Sequence, residues 1–154
     1  RMEEGLGYAE ALAEAQKLGY AEADPTGDVE GFDAAVKVSI LAGEVFGTRL
    51  DLAEVRREGI TSVSPDDIRR AAGRGAKIKL IAGAVLENNK VTGYVSPREV
   101  KSSDPMASVL GVTNAVNITT DNLGVITVIG PGAGKIQTAQ GLMSDMVNIA
   151  YGMM

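Results

Sequence analysis

Cysteine and histidine are both missing from the 154 residues of this chain. Without cysteine there are no disulfides, thiolate metal sites or thiol nucleophiles. Without histidine the chain lacks the commonest metal ligand and the side chain that titrates closest to neutral pH. Any proton transfer must therefore use lysine, aspartate, glutamate or tyrosine.

Basic residues and long apolar runs are also scarce. The net charge is −5 and the pI is near 4.8, which disfavours nucleic acid and anionic membrane surfaces as partners. No apolar run approaches the roughly 18 residues that a membrane helix needs, and the N-terminus lacks a secretory pattern. We expect a cytoplasmic protein, without nucleic acid or membrane partners, that binds a small cationic or zwitterionic ligand.

The residue patterns predict an α+β fold in one domain. The predicted helices span 8–18, 28–46, 52–57, 65–72 and 136–151, and the predicted strands span 60–63, 77–85, 91–96, 114–120 and 125–129. These elements predict a mixed or antiparallel sheet of about four to five strands with helices packed on one face.

The most informative stretch runs from Ala15 to Lys37 and carries five acids, which are Glu22, Asp24, Asp28, Glu30 and Asp33. Acids crowded this closely repel each other unless a cation meets them. The stretch therefore predicts a site for an ammonium group. We expect Asp28 to cap the second helix, on which Asp33 and Lys37 lie one turn apart.

Two other interpretations of this stretch are open. An Asp33–Lys37 pair on a solvated helix face would be worth only roughly 0.2–0.5 kcal/mol and would have no further role. A calcium loop is disfavoured, because Val29 stands where an EF-hand needs glycine and Ala35 where it needs glutamate.

A glycine-rich turn, G-P-G-A-G-K, spans Gly130 to Lys135 between a predicted strand and a predicted helix. This is the setting of a phosphate-binding turn. The P-loop signature is not met, because the spacing is one residue short and Ile136 replaces the Ser or Thr. The dinucleotide fingerprint is not met either. The segment is thus a tight turn, or a set of amides that touch a nucleotide bound mainly elsewhere.

The stretch from Ala15 to Lys37 resembles the signature of the homoserine dehydrogenase family. The matching positions are Ala15, Gly19, Tyr20, Ala21, Glu22, Asp24, Pro25, Asp28, Val29, Gly31, Asp33 and Lys37. The likeness continues with Gly59-Ile60, Lys77-Ile78-Lys79-Leu80, Asp104-Pro105-Met106 and Gly132-Ala133-Gly134. It implies an NAD(P)-dependent oxidoreductase that interconverts L-aspartate 4-semialdehyde and L-homoserine in threonine, methionine and isoleucine biosynthesis.

The same resemblance implies roles for individual residues and no metal. Lys37 would be the proton donor, with Asp33 as its catalytic partner. Glu22, Asp28, Asp33 and Tyr20 would bind the substrate, and Gly19, Gly132 and Gly134 would contact the cofactor. The resemblance also implies a homodimer that forms through the sheet.

The family's N-terminal nucleotide-binding domain has no counterpart in residues 1–154. We therefore expect this chain to be a piece of a longer polypeptide, the substrate-binding domain over residues 1–154, and to be inactive alone. NAD or NADP would be bound mainly by the missing domain. The alternatives are a non-catalytic amino-acid-binding or regulatory module and a small nucleotide-binding module built on the Gly130 turn.

Overall fold

Helices and strands are interleaved along the chain, and the α+β prediction is confirmed. The computed structural model describes residues 1–132 and 134–153. The α-helices are α1 (Tyr8–Lys17), α2 (Thr26–Val29), α3 (Phe32–Phe46), α4 (Pro65–Gly73) and α5 (Lys135–Ala150). The strands are β1 (Arg56–Arg57), β2 (Ala76–Glu87), β3 (Lys90–Lys101), β4 (Thr113–Thr120) and β5 (Gly124–Pro131), and short 3₁₀ helices span Met2–Glu4, Leu52–Glu54 and Pro105–Ser108. These elements form two compact units, Arg1–Ser102 and Ser103–Met154.

The first unit is built on the long antiparallel hairpin of β2 and β3. Its register runs from Ala76 opposite Lys101 to Glu87 opposite Lys90. Asn88 and Asn89 connect the strands with φ angles of +50° and +60°. Asparagine tolerates these left-handed angles, which a two-residue hairpin turn requires. The hairpin predicted over 77–96 is confirmed, and both strands are longer than predicted.

Strand β1 completes a three-stranded sheet in the order β1-β3-β2. It runs parallel to β3, with Arg56 opposite Tyr94 and Arg57 opposite Val95. The sheet of this unit is therefore mixed. The strand predicted over 60–63 is wrong, because these residues form a turn and the strand lies just before them.

The core of the first unit lies between α3 and the hairpin. Its buried side chains are small or medium in size: Ala35, Val38, Ala42, Leu50, Val55, Val91 and Val95. Gly93 lets this packing become close, because a Cβ atom there would lie 2.8 Å from Leu50 Cδ1. The buried hydroxyl of Ser39 donates a 2.6 Å hydrogen bond to the Leu50 carbonyl. A burial of this kind costs little, because the polar group has its partner.

Gly31 separates α2 from α3, so the predicted start of the second helix at residue 28 is wrong. We expected Asp28 to cap one helix over 28–46, but Asp28 lies inside α2 and the cap position of α3 is Gly31. Gly31 has φ +76°, a left-handed angle that favours glycine. A Cβ atom at this position would also lie 2.9 Å from Val95 Cγ1. Close packing on β3 thus dictates the break between the two helices.

Helix α4 begins as its sequence predicts. The Ser64 hydroxyl accepts from the Asp67 amide at 3.2 Å, and the Asp67 carboxylate accepts from the Ser64 amide at 2.9 Å. This reciprocal capping box, followed by Pro65 at the first helical position, satisfies amides that the helix leaves free. The Ser64 hydroxyl first, then the Ser64 amide and the Arg70 guanidinium, lower the pKa of Asp67 from 3.8 to about 2.

The second unit contains the hairpin of β4 and β5 and the helix α5. Thr120 lies opposite Gly124, and the strands pair back to Thr113 opposite Pro131. The strands predicted over 114–120 and 125–129 are confirmed. The described residues thus hold five strands, as predicted, but these lie in two sheets rather than one.

The helices within residues 1–132 and 134–153 are short or polar by the standard of a membrane span. None of the helices there combines the length and the hydropathy needed to cross a bilayer.

The close packing of Gly31 between α2 and α3 leads to a prediction about stability. We expect Gly31→Ala to lower the free energy of unfolding by about 1–3 kcal/mol more than Gly19→Ala, because only Gly31 faces a neighbouring side chain. Both glycines have φ +76°, so the backbone strain is matched. Urea unfolding measures the difference, and equal losses in the two variants would contradict the packing argument.

The capping box yields a pH prediction. Because the folded pKa of Asp67 lies below its ordinary value, the box stabilises the fold above about pH 3.8 and loses this effect as the pH falls toward 2. We expect Asp67→Asn to reduce the melting temperature at pH 6, with the gap to the unmodified chain closing by pH 2. Asp66→Asn, one residue earlier and outside the box, is the control. A gap independent of pH would rule out this assignment.

Candidate functional site

The acid-rich stretch runs from the end of α1 through α2 into α3. Helix α1 ends at Lys17, and Gly19 follows with φ +76°, as its place in the sequence predicts. The Gln16 side chain then donates to the backbone carbonyls of Glu22 and Ala23, at 2.9 and 3.3 Å. The loop that carries Glu22 is thereby tied to α1 through its backbone.

Asp24 is used locally, at the start of α2. Its carboxylate accepts from the Thr26 hydroxyl at 2.6 Å and from the Thr26 amide at 3.1 Å. These bonds lower the pKa of Asp24, the hydroxyl contributing most. Asp24 thus organises the D-P-x-x-D turn.

Asp33 and Lys37 form the ion pair that their spacing predicts. Lys37 Nζ lies 2.6 Å from Asp33 Oδ2, and the two side chains are 57% and 52% exposed. Such an exposed pair contributes little to stability. The pair is instead a preorganised ammonium and carboxylate, presented on the outer face of a helix whose inner face is buried in the core. A ligand can reach both groups.

The other predicted substrate residues lie near this helix start in sequence, and all are exposed. Glu22 and Tyr20 belong to the loop after α1, and Asp28 belongs to α2. Over the described ranges, Lys37 is ion-paired with Asp33 and not with Glu22. The structure therefore joins two of the predicted residues directly and leaves the carboxylates of Glu22 and Asp28 open to solvent.

The three glycines predicted to contact the cofactor have different surroundings. Around Gly19, a Cβ atom would have nothing within 4 Å, and the Gly19 amide donates to the Gln16 carbonyl at 3.0 Å. In the second unit, the Gly132 amide donates to the Val112 carbonyl at 2.8 Å, and Gly134 precedes α5 with φ +136°. Ala133, between them in the predicted turn, lies outside the described residues.

Sequence reasoning missed the segment that supports the start of α3. Arg57 lies over the Phe32 ring, with its guanidinium carbon 3.5 Å from the ring centroid. Glu30, counted among the clustered acids, accepts from the Thr61 hydroxyl at 3.0 Å. The signal in the sequence for this segment was Gly59-Ile60, which is part of the family likeness. We interpreted it as the approach to a strand over 60–63, which does not form.

A separate cleft of about 330 Å³ lies in the first unit near α4. Its charged lining consists of Arg70, Arg74, Arg98, Glu58, Asp67 and Glu99. Two of the arginines are already ion-paired, Arg70 with Asp67 and Arg74 with Glu99. None of the predicted site residues lines this cleft.

Metal-binding clusters of three or more acids are also missing from the part of the chain that the structure describes.

Comparisons with known proteins point to one family. The family model described as homoserine dehydrogenase matches residues 1–147. The NAD(+)-dependent homoserine dehydrogenase of Pseudomonas canavaninivorans is 47% identical over 149 residues, which cover 96% of this chain and 42% of that protein.

Solved structures agree. The crystal structure of S. aureus homoserine dehydrogenase at pH 6.5 matches with a TM-score of 0.90 and 41% identity, over 96% of this chain and 38% of that chain. A hyperthermophilic archaeal homoserine dehydrogenase mutant in complex with NADPH matches with a TM-score of 0.78 and 34% identity, over 98% of this chain and 42% of that one.

The present chain thus spans less than half the length of these relatives. The match nonetheless covers nearly all of the present chain, in sequence and in fold. The chain therefore belongs to the homoserine dehydrogenase family.

Proposed function

We propose that this chain is the substrate-binding and catalytic part of an enzyme that interconverts L-aspartate 4-semialdehyde and L-homoserine with NAD or NADP. The exposed Asp33–Lys37 pair at the start of α3 is the observation that carries the proposal. The pathway to threonine, methionine and isoleucine and the cytoplasmic location belong to the same proposal, and they rest on family membership.

The chemistry of the reaction fits this pair. When an aldehyde is reduced, hydride reaches the carbonyl carbon and negative charge develops on the oxygen. An ammonium group held beside that oxygen stabilises the charge in the transition state and supplies the proton that completes the alcohol. In the oxidation of homoserine, the same proton transfer runs in reverse, from the hydroxyl group to the Lys37 nitrogen.

Carboxylates suit the other end of the substrate. Both homoserine and aspartate semialdehyde carry an α-ammonium group, which an acid can bind through a charge-assisted hydrogen bond. Asp33 fixes Lys37 and shares the site, while Glu22, Asp28 and Tyr20 are the remaining groups assigned to substrate binding. Because the Glu22 and Asp28 side chains are exposed, they can receive this ammonium group.

The residues present fit a contact with the cofactor rather than its whole binding site. Gly134 precedes the 16-residue helix α5, and free amides at a helix start favour a phosphate. Gly19 and Gly132 are the other assigned contacts. No strand followed by G-x-G-x-x-G occurs in residues 1–154, so the main binding site would lie in another domain. Once bound, the nicotinamide would supply the hydride in the reduction and accept it in the oxidation.

The hairpin of the second unit supports a homodimer. Val116 lies opposite Val128 and Ile118 opposite Ile126, so the four side chains share one face of β4 and β5. All four are exposed, between 38% and 58%. Contiguous exposed apolar side chains of this kind mark association surfaces. We assign this apolar hairpin face to a second copy of the chain.

A prediction about turnover concerns Lys37. We expect Lys37→Ala to lower kcat for homoserine oxidation at least roughly 100-fold, since a general acid–base group contributes about 10² to 10⁴ in rate. Lys37→Arg should be equally poor, because a guanidinium keeps the Asp33 pair but does not release its proton. NAD(P)H formation would be followed in a fusion protein in which residues 1–154 replace the matching region of the Pseudomonas canavaninivorans enzyme.

Lys17→Ala is the matched control for this experiment, since Lys17 is an exposed lysine at the end of α1. Its kcat should stay within about twofold of the unmodified fusion. Normal turnover by Lys37→Ala would contradict the proposed role of Lys37 as proton donor. Tight binding of homoserine to the 154-residue chain without nucleotide, measured by calorimetry, would favour a non-catalytic amino-acid-binding module instead.

A prediction about assembly concerns the apolar hairpin face. We expect Val128→Glu to shift the 154-residue chain from dimer to monomer in sedimentation velocity, because it places a charge among the four apolar side chains. Asn117→Glu puts the same charge on the opposite face of β4 and should leave the dimer intact. A dimer that survives Val128→Glu would exclude this face as the interface.

A further inference from the structure

The segment from the last residue of β1 into the following turn contacts the region just before α3 through several successive residues. We define the α2–α3 corner as residues Val29–Gly31, immediately before the helix that carries Asp33 and Lys37. The contacting segment is Arg57–Thr61. Its Glu58 amide donates to the Val95 carbonyl at 2.8 Å, which anchors the segment to β3.

Arg57 contacts both sides of the corner. Its Nη1 donates a 2.5 Å hydrogen bond to the Glu30 carbonyl, while its guanidinium stacks over the Phe32 ring. Between these two points, its Cγ atom would lie 3.6 Å from a Cβ atom at Gly31. A planar guanidinium can stack and donate at the same time, which an ammonium group cannot do equally well.

The residues after Arg57 close on the same corner. The Ile60 amide donates to the Val29 carbonyl at 2.8 Å, and the Thr61 hydroxyl donates to Glu30 Oε1 at 3.0 Å. Gly59 is buried against the corner, where a Cβ atom would lie 2.7 Å from Glu30 Cα. Only glycine allows this approach.

Tyr8, the first residue of α1, is affected by the charge of Glu30. The Tyr8 hydroxyl is buried and has no hydrogen-bond partner within the described ranges. Its burial, and second the charge of Glu30, raise the pKa of Tyr8. Glu30 thus has a hydrogen-bond partner in the 57–61 segment and an electrostatic effect on Tyr8.

The corner sets the position of the catalytic pair. The Gly31 carbonyl accepts the first hydrogen bond of α3, from the Ala35 amide at 3.0 Å. Lys37 follows five residues after Phe32, roughly 7.5 Å along the helix at about 1.5 Å per residue. A shift of the helix start therefore displaces Asp33 and Lys37, and a displacement of about 1 Å can cost roughly 100-fold in rate.

We infer that Arg57 is a positioning residue, which holds the α2–α3 corner through Glu30 and Phe32 and thereby orients Lys37 toward the reacting oxygen. The catalytic half of this inference rests on the proposed function. Arg57 itself contacts neither substrate nor cofactor in this role.

The test compares Arg57→Met, Arg57→Lys and Arg98→Met. Arg98 is the matched control, because it also stacks over an aromatic ring, Tyr94 at 4.0 Å, but does not touch the corner. In the fusion protein, we expect Arg57→Met to lower kcat about tenfold while the KM for NAD(P)+ stays within about twofold. Arg57→Lys should recover part of the loss, because it keeps a donor for the Glu30 carbonyl.

A second readout uses the 154-residue chain by itself. Hydrogen exchange of the Ala35 amide should become several-fold faster in Arg57→Met and should not change in Arg98→Met. The inference is refuted if Arg57→Met matches Arg98→Met in kcat, whatever its thermal stability. Inactivity of the unmodified fusion protein would refute the proposed function, and Ala35 exchange would then decide by itself whether Arg57 fixes the corner.

Discussion

The close approach of helix α3 to the β2–β3 hairpin is the constraint on which the first unit depends. Two glycines allow this packing. A Cβ atom at Gly31, just before α3, would lie 2.9 Å from Val95 Cγ1, and one at Gly93 would lie 2.8 Å from Leu50 Cδ1, after α3, and 3.4 Å from Val38 Cγ1 on α3 itself. An interior packed this tightly resists sliding and rotation, because each shift opens gaps or creates overlaps. The outer face of α3 is therefore held in a fixed orientation, and the Asp33–Lys37 pair lies on that face.

Three of the five acids between Ala15 and Lys37 have separate partners rather than surrounding one cation. Asp24 accepts a hydrogen bond from Thr26 at the start of α2. Glu30 accepts one from Thr61, and Asp33 forms an ion pair with Lys37. Each of these three is neutralised or hydrogen-bonded by a different partner, which reduces the repulsion that the spacing of the acids in sequence would cause, while Glu22 and Asp28 are exposed. Asp24, one of the positions of the family signature, thus shapes the local backbone.

Sequence patterns predicted the elements whose causes are local. The hairpin turn at Asn88-Asn89 needs left-handed angles that asparagine accepts, and the start of α4 needs the Ser64 cap. The errors have a different origin. The strand expected over 60–63 has suitable residues, but the parallel partner of β3 is Arg56–Arg57. Strand pairing depends on neighbours distant in sequence, so local propensity is a weak guide to it.

By itself, the sequence determined the family, the α+β class and the one-turn spacing that pairs Asp33 with Lys37, because helix periodicity and a 23-position signature are read directly from the chain. Only the tertiary structure decided where α3 begins, because Gly31 packs closely against Val95, which lies on β3. It also placed Thr61 against the carboxylate of Glu30, one of the clustered acids, and Arg57 against the Glu30 carbonyl. Such roles arise from contacts across 27 or more positions, which no local pattern encodes.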